Sequence, residues 1–166
     1  MKSLLIEALN GKDTDRPPIW FMRQAGRILP SYMKLKETYS FHELMNDPIL
    51  ASKVTLLPIK DLEVDAAILF SDILVIPHAL GLELEFQKTG PIFNKPINEF
   101  SKSSELIFSP NKLDYIYNNI EQVISDKDEN LPLIGFCGGP LTVFLFMFKG
   151  EDVKDFRKNA IKYLYS

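Results

Sequence analysis

Arg23 and Arg27 stand four residues apart in the segment PPIWFMRQAGRILPSY, with Gln24, Ala25 and Gly26 between them. They follow directly on an apolar run, Ile19-Trp20-Phe21-Met22. Residues four apart share a face of a helical turn. In a loop around Gly26 they would instead flank backbone N–H groups that also point inward. Paired guanidinium groups grip carboxylates or phosphates with forked geometry. The same pattern also fits two solvated arginines after a strand. A second candidate is Asp72, which follows the apolar run Ile68-Leu69-Phe70 by two residues. A carboxylate in that place is either a helix N-cap or a functional acid.

Other chemistry is poorly represented. His78, in VIPHALG, and His42 read as isolated loop or surface residues. No grouping of Cys, His and carboxylate has metal-ligand spacing, so no metal is expected. FCGGP lacks the spacing of a dinucleotide fingerprint and the lysine of a P-loop. Cys137 lies in an apolar run with no base nearby and reads as a packed small hydrophobe. Asp61, Glu63 and Asp65 precede the apolar run that leads to Asp72 and read as solvated.

The elements that must hold these residues follow from capping and periodicity. Residues 3–10 suit a short helix with Ser3 as N-cap and Gly11 past its end. The run 19–22 reads as a buried strand stiffened by Pro17 and Pro18. Short helices are expected at 31–39 and 41–46. Asp47-Pro48 opens a further helix, kinked or ended by Pro58. Residues 65–70 and 131–137 read as buried parallel strands, and 82–86 alternates like an exposed strand. Pro77 should break the segment between them. Residues 94–112 are polar and irregular. The segments 112–129, 139–148 and 151–165 read as helices. The alternation argues for an α/β fold with parallel strands. Right-handed crossovers would then bring Arg23, Asp72 and Gly138-Gly139-Pro140 to strand C-terminal ends, where such folds build sites.

Composition narrows the field. The 166 residues are 46% hydrophobic and 25% charged, which is ordinary for a globular chain. A net charge of −3 gives no basic field for nucleic acid. One cysteine excludes an internal disulfide, and the N-terminal residues resemble no signal peptide, so a reducing cytoplasm is expected. The stretch 133–148 carries no charge, but it is shorter than the roughly 20 residues of a membrane span and contains Gly-Gly-Pro. It reads as strand, turn and helix, with no membrane insertion.

The segments RPPIWFMRQAGRILPSY, ILASKVTLLPIKDLEVDAAILFSDILVIPHALGLELEF, GPIF and LIGFCGGPLTVF together resemble the uroporphyrinogen decarboxylase family. MRQAGR and LFSDIL in this order are specific. The resemblance implies that residues 1–166 are the N-terminal portion of one barrel domain, a partial (β/α)8 TIM barrel. It implies decarboxylation of the four acetate side chains of uroporphyrinogen III to give coproporphyrinogen III. It also implies a homodimer with no cofactor or metal. Arg23, Gln24, Ala25, Gly26, Arg27, Phe41, Asp72 and Phe146 would bind substrate, with Asp72 and Arg23 catalytic. Phe146 stands where the family usually has a tyrosine. A hydroxyl is missing there, and a hydrogen bond to a charged group contributes about 1.5–3 kcal/mol. Such a barrel typically needs about 250 residues, so the 166-residue chain alone is expected to be inactive. The competing readings are a related barrel methyltransferase acting on corrinoid or thiol carriers, and an inactive truncated half-barrel.

Overall fold

A computed structural model of the chain describes residues 3–87, 90–99, 105–148 and 156–165. Helices α1 (Leu4–Leu9), α2 (Pro30–Thr38), α3 (Phe41–Asn46) and α4 (Pro48–Leu62) precede strand β1 (Ala67–Ile68). Helix α5 (Val75–Ala79), strands β2 (Leu84–Gln87) and β3 (Gly90–Phe93), and helix α6 (Asp114–Asp126) follow. Strand β4 (Leu133–Ile134) and helices α7 (Pro140–Met147) and α8 (Phe156–Leu164) complete the order. The chain divides into two compact units, Met1–Ser71 with Tyr115–Phe136, and Asp72–Asp114 with Cys137–Ser166.

The first unit is organised around a parallel pair, β1 with β4, in register Ala67 with Leu133 and Ile68 with Ile134. The N–H groups of Ala67 and Leu69 donate to the carbonyls of Pro132 (2.9 Å) and Ile134 (3.0 Å). Local signals set the helices beside it. Ser40 and Glu43 form a reciprocal capping box that starts α3. Asp47 caps α4, accepting from the Leu50 N–H, with Pro48 at the first helical position. Ala51, Val54, Thr55 and Pro58 recur on one buried face of α4. That face carries the helix through Pro58, against a propensity cost of about 3 kcal/mol; the proline neither ends the element nor leaves it exposed. Leu29, Tyr32, Leu44, Met45, Val54 and Phe70 form the core of this unit.

Three side chains tie its elements together. The Thr55 hydroxyl donates to the Ala51 carbonyl and accepts from the Phe70 N–H, joining α4 to the end of the β1 segment. The buried Ser52 hydroxyl donates to Asp126 on α6 at 2.6 Å. Asn119 of α6 donates to the Met45 carbonyl of α3 at 2.7 Å.

In the second unit, β2 and β3 form an antiparallel hairpin, with Leu84 opposite Phe93 and Gln87 opposite Gly90. Its core holds Leu74, Leu82, Phe93, Ile97, Met147, Phe148 and Ala160. Phe148 of α7 meets Tyr163 of α8 edge to face at 5.3 Å.

Several expectations are corrected. Residues 19–22 form no strand, and all four side chains are exposed, Met22 by 83%. The reason lies in the N–H groups. Ile19 donates to the Asp65 carboxylate and Phe21 to the Gln24 side chain, so side chains stand where a ladder would form. The strands expected at 65–70 and 131–137 contract to two residues each. Beyond Ile134 the chain is exposed at Gly135, Phe136 and Cys137, so Cys137 is not a packed hydrophobe. Pro77 lies in the first turn of α5, where its missing N–H has no intrahelical partner to lose. Within the stretch 94–112, the short 3-10 turns Ile97–Glu99 and Pro110–Leu113 add order that polar composition concealed. Residues 151–155 of the expected last helix lie outside the described residues.

Candidate active site

The arginine turn belongs to the first unit and is built from hydrogen bonds. The Gln24 N–H donates to the Phe21 carbonyl at 3.0 Å, and the Leu29 N–H to the Gly26 carbonyl at 3.0 Å. Arg23 sits in the left-handed region, with φ of 62°. That is unusual for a side chain of this size and marks a locally strained backbone. Gly26 lets the chain close beneath it, because a Cβ there would meet the Arg23 carbonyl oxygen at 3.1 Å. Arg23 and Arg27 are both exposed. Among the described residues neither has a carboxylate within ion-pairing distance. Ala25 packs on the core cluster that contains Leu29 and Tyr32. Burial pushes the Tyr32 phenol up, and the charge of Arg27 partly offsets that rise.

Arg16 and Asp65 anchor the approach to the turn. The guanidinium forks onto the carboxylate at 2.6 and 2.7 Å. The same carboxylate accepts from the Ile19 N–H at 2.7 Å, and the Asp65 N–H donates to the Ile19 carbonyl at 2.8 Å. The Arg16 hydrogen bonds hold the Asp65 carboxyl below its usual range against some desolvation, with the Ile19 N–H adding to the effect. Asp65 is therefore not the solvated residue its position suggests. No motif marks this pair in the sequence, since its members lie 49 residues apart.

Asp72 belongs to the second unit and is half-buried. Its Oδ1 accepts from the Leu74 N–H at 2.7 Å. The N-cap of α5 is Leu74, so Asp72 closes a turn just ahead of the helix and does not cap it. Burial pushes its carboxyl above the usual range, and the Leu74 N–H opposes this only in part. Packing fixes the turn. A Cβ on Gly138 would lie 2.3 Å from Val143 Cγ2 and 3.2 Å from both Cβ and the carbonyl oxygen of Ile73. The segments that leave β1 and β4 therefore touch at Ile73 and Gly138.

The two aromatic candidates are packed residues. Phe41 of α3 meets Phe70 edge to face at 5.4 Å in the first unit. Phe146 of α7 is half-buried against the core of the second. A cavity of about 430 Å³ has Ser31, Lys34 and Asp61 in its lining and contains none of the candidate residues.

Chemically, the turn offers two cations on a fixed backbone, without an ion partner among the described residues, suited to a polycarboxylate or phosphate. Asp72 offers the complement. A carboxylate that burial disfavours gains most when N–H donors or a positive charge arrive beside it.

Comparison with known proteins identifies the chain. Residues 1–166 match the family described as "Uroporphyrinogen decarboxylase (URO-D)". A protein of that name from Christiangramia forsetii is 42% identical over 158 residues, which is 93% of this chain and 46% of the relative. One from Chelativorans sp. is 47% identical over 155 residues, 91% of this chain and 45% of the relative. The chain thus spans about half the length of the curated relatives it matches. A solved methyltransferase from Methanosarcina mazei superposes with a TM-score of 0.69 at 21% identity, covering 99% of this chain and 49% of that one. At that identity the likeness concerns the fold alone. The fold class is α/β with parallel strands, part of a (β/α)8 barrel.

Proposed function

The chain belongs to the uroporphyrinogen decarboxylase family, and on that premise we propose that it supplies the arginine turn and Asp72 to the decarboxylation of uroporphyrinogen III. The observation that carries this reading is the pair of exposed arginines, Arg23 and Arg27, neither of which has an ion partner among the described residues. The substrate is a flexible, reduced tetrapyrrole with acetate and propionate carboxylates around its rim. Guanidinium groups pair with that rim, and Gly26 and Ala25 keep the backbone slim beneath it.

The reaction needs an electron sink. Protonation of the pyrrole carbon adjacent to the one that bears the acetate makes the ring cationic. The bond from the acetate CH2 to its carboxylate then breaks, its electron pair enters the ring, and CO2 leaves. The resulting exocyclic methylene takes up a proton to become methyl, and the ring carbon returns its proton. The sum for each acetate is one proton consumed and one CO2 released. Asp72 stabilises the cationic ring electrostatically and accepts from converging pyrrole N–H groups. The residue assigned as proton donor is Arg23. The same proposal includes the absence of a metal or cofactor, a cytoplasmic homodimer, and Phe41 and Phe146 as apolar walls. No helix among the described residues is long and apolar enough to cross a membrane.

The test places these 166 residues in a polypeptide of the relatives' full length and follows coproporphyrinogen formation. Asp72→Asn should lower the rate about 10²–10³-fold with the fold intact, the scale for loss of one preorganised electrostatic stabiliser. Arg23→Ala and Arg27→Ala should weaken binding of uroporphyrin III more than that of coproporphyrin III, which has fewer carboxylates. Wild-type turnover by the Asn variant would remove Asp72 from the chemistry. Equal losses for both porphyrins would make the arginines structural.

A further inference from the structure

We propose that Gln24 is a positioning residue: its side chain clamps the arginine turn to the segment leading into β1 and so sets where Arg23 and Arg27 point. This rests on the reading of the turn as an anion site and assigns the glutamine side chain a place away from the ligand. Gln24 lies between two exposed arginines yet is only 2% exposed itself. Its Oε1 accepts from the Phe21 N–H at 3.1 Å, and its Nε2 donates to the Ala66 carbonyl at 2.8 Å. Its own N–H returns to the Phe21 carbonyl at 3.0 Å. The side chain therefore closes the turn from within and ties it to a residue 42 positions away.

The clamp has a specific load to bear. Arg23 holds a left-handed backbone that persists only where the surroundings over-determine it. Phe21 on one side and Gly26 on the other are the fixed points of that bend. Without Gln24 the turn would keep its charges but lose its shape. Two guanidinium groups bind a polycarboxylate better than two separate ones only while their spacing is held.

A primary amide is suited to this role because it donates and accepts at once. A carboxylate only accepts, and in place of Gln24 it would face the Ala66 carbonyl without a proton between them. A protonated carboxylic acid again does both. Gln24→Glu should therefore rebuild the clamp in its acid form and break it when ionised. The charged groups on the segments packed there are Arg23 and Arg27 in the turn and the Arg16–Asp65 pair beside Ala66.

Trp20 is the single tryptophan of the chain and lies four residues before Gln24, so its quenching by added uroporphyrin III reports binding at the turn. Coproporphyrin III serves as the ligand with fewer carboxylates. Gln24→Leu removes both side-chain hydrogen bonds of the clamp and should weaken uroporphyrin binding roughly tenfold. It should weaken coproporphyrin binding less. Amide exchange at Phe21 should speed up while the amides of α4 keep their protection. Relative to wild type at the same pH, which cancels the titration of the ligand's own carboxylates, Gln24→Glu should bind equally well at about pH 5 and as weakly as Gln24→Leu at about pH 8. Wild-type affinity in Gln24→Leu overturns the proposal, as does a pH-independent ratio of Gln24→Glu to wild type. Equal loss of both porphyrins together with loss of α4 protection shows a structural role and overturns it too. Absence of any quenching in wild type overturns the anion-site reading and this proposal with it, whereas binding that is indifferent to Gln24 overturns this proposal alone.

Discussion

The arginine turn and the aspartate turn each follow an apolar run, but they are held by different forces. Residues 21–29 are fixed by hydrogen bonds from Gln24, Leu29 and Phe21, and their two cations stand in water. Residues 72–74 are fixed by packing, with Leu74 buried and Ile73 against Gly138, and their carboxyl is half-buried. The difference follows from solvation. Guanidinium groups left in water have no desolvation to offset, so a polar, strained turn suffices to aim them. A carboxylate drawn out of water is destabilised in its charged form, so the surrounding apolar contacts must hold it there.

The largest test of this contrast compares two glycines. Gly138→Ala forces a Cβ into Val143 and Ile73 and should cost about 1–3 kcal/mol, seen as a lower denaturant midpoint. Gly26→Ala meets only the Arg23 carbonyl, at 3.1 Å, and should cost less than half as much. If Gly26→Ala proved the more costly, the arginine turn would be the better packed of the two.

A second test reads the two carboxylates against pH. The folded-state pKa of Asp65 is lowered, so its contribution is present above the ordinary carboxyl value of about 3.9 and fades as pH falls through and below it. Asp72 is raised, so its charged form is penalised by folding. That cost is absent in acid and grows as pH rises past about 3.9 toward its raised value. At neutral pH Asp65→Asn should therefore lose stability and Asp72→Asn gain it, and both differences should shrink toward zero in acid. Denaturant melts across pH 2–7, a range set around the ordinary carboxyl value, decide the matter. Changes of the same sign would break the comparison.

The smallest effect concerns strain. Arg23→Asn replaces a long side chain at φ 62° with one that tolerates the left-handed region. It should raise stability by about 0.5 kcal/mol, a fraction of the strain such a residue stores. It should also weaken uroporphyrin binding. A loss of stability would mean that the guanidinium already makes a stabilising contact in the folded protein.

What the sequence determined by itself is what acts within a few residues or through a specific string. The Ser40–Glu43 capping box, the Asp47-Pro48 start of α4 and the alternation of the strand that forms at Leu84–Gln87, two residues later than expected, are legible because caps and alternation are local. MRQAGR and LFSDIL point to the family for the same reason. Tertiary structure decided the rest, because the deciding partners lie far apart in the chain. The burial of Gln24 depends on Ala66, 42 residues on, and the pairing of Asp65 on Arg16, 49 residues back. The exposure of 19–22 and of Cys137 turns on whether an apolar run finds a ladder, which hydrophobicity alone does not encode. The packing beside Asp72 likewise depends on a residue far along the chain, Gly138, whose lack of a side chain leaves room for Ile73.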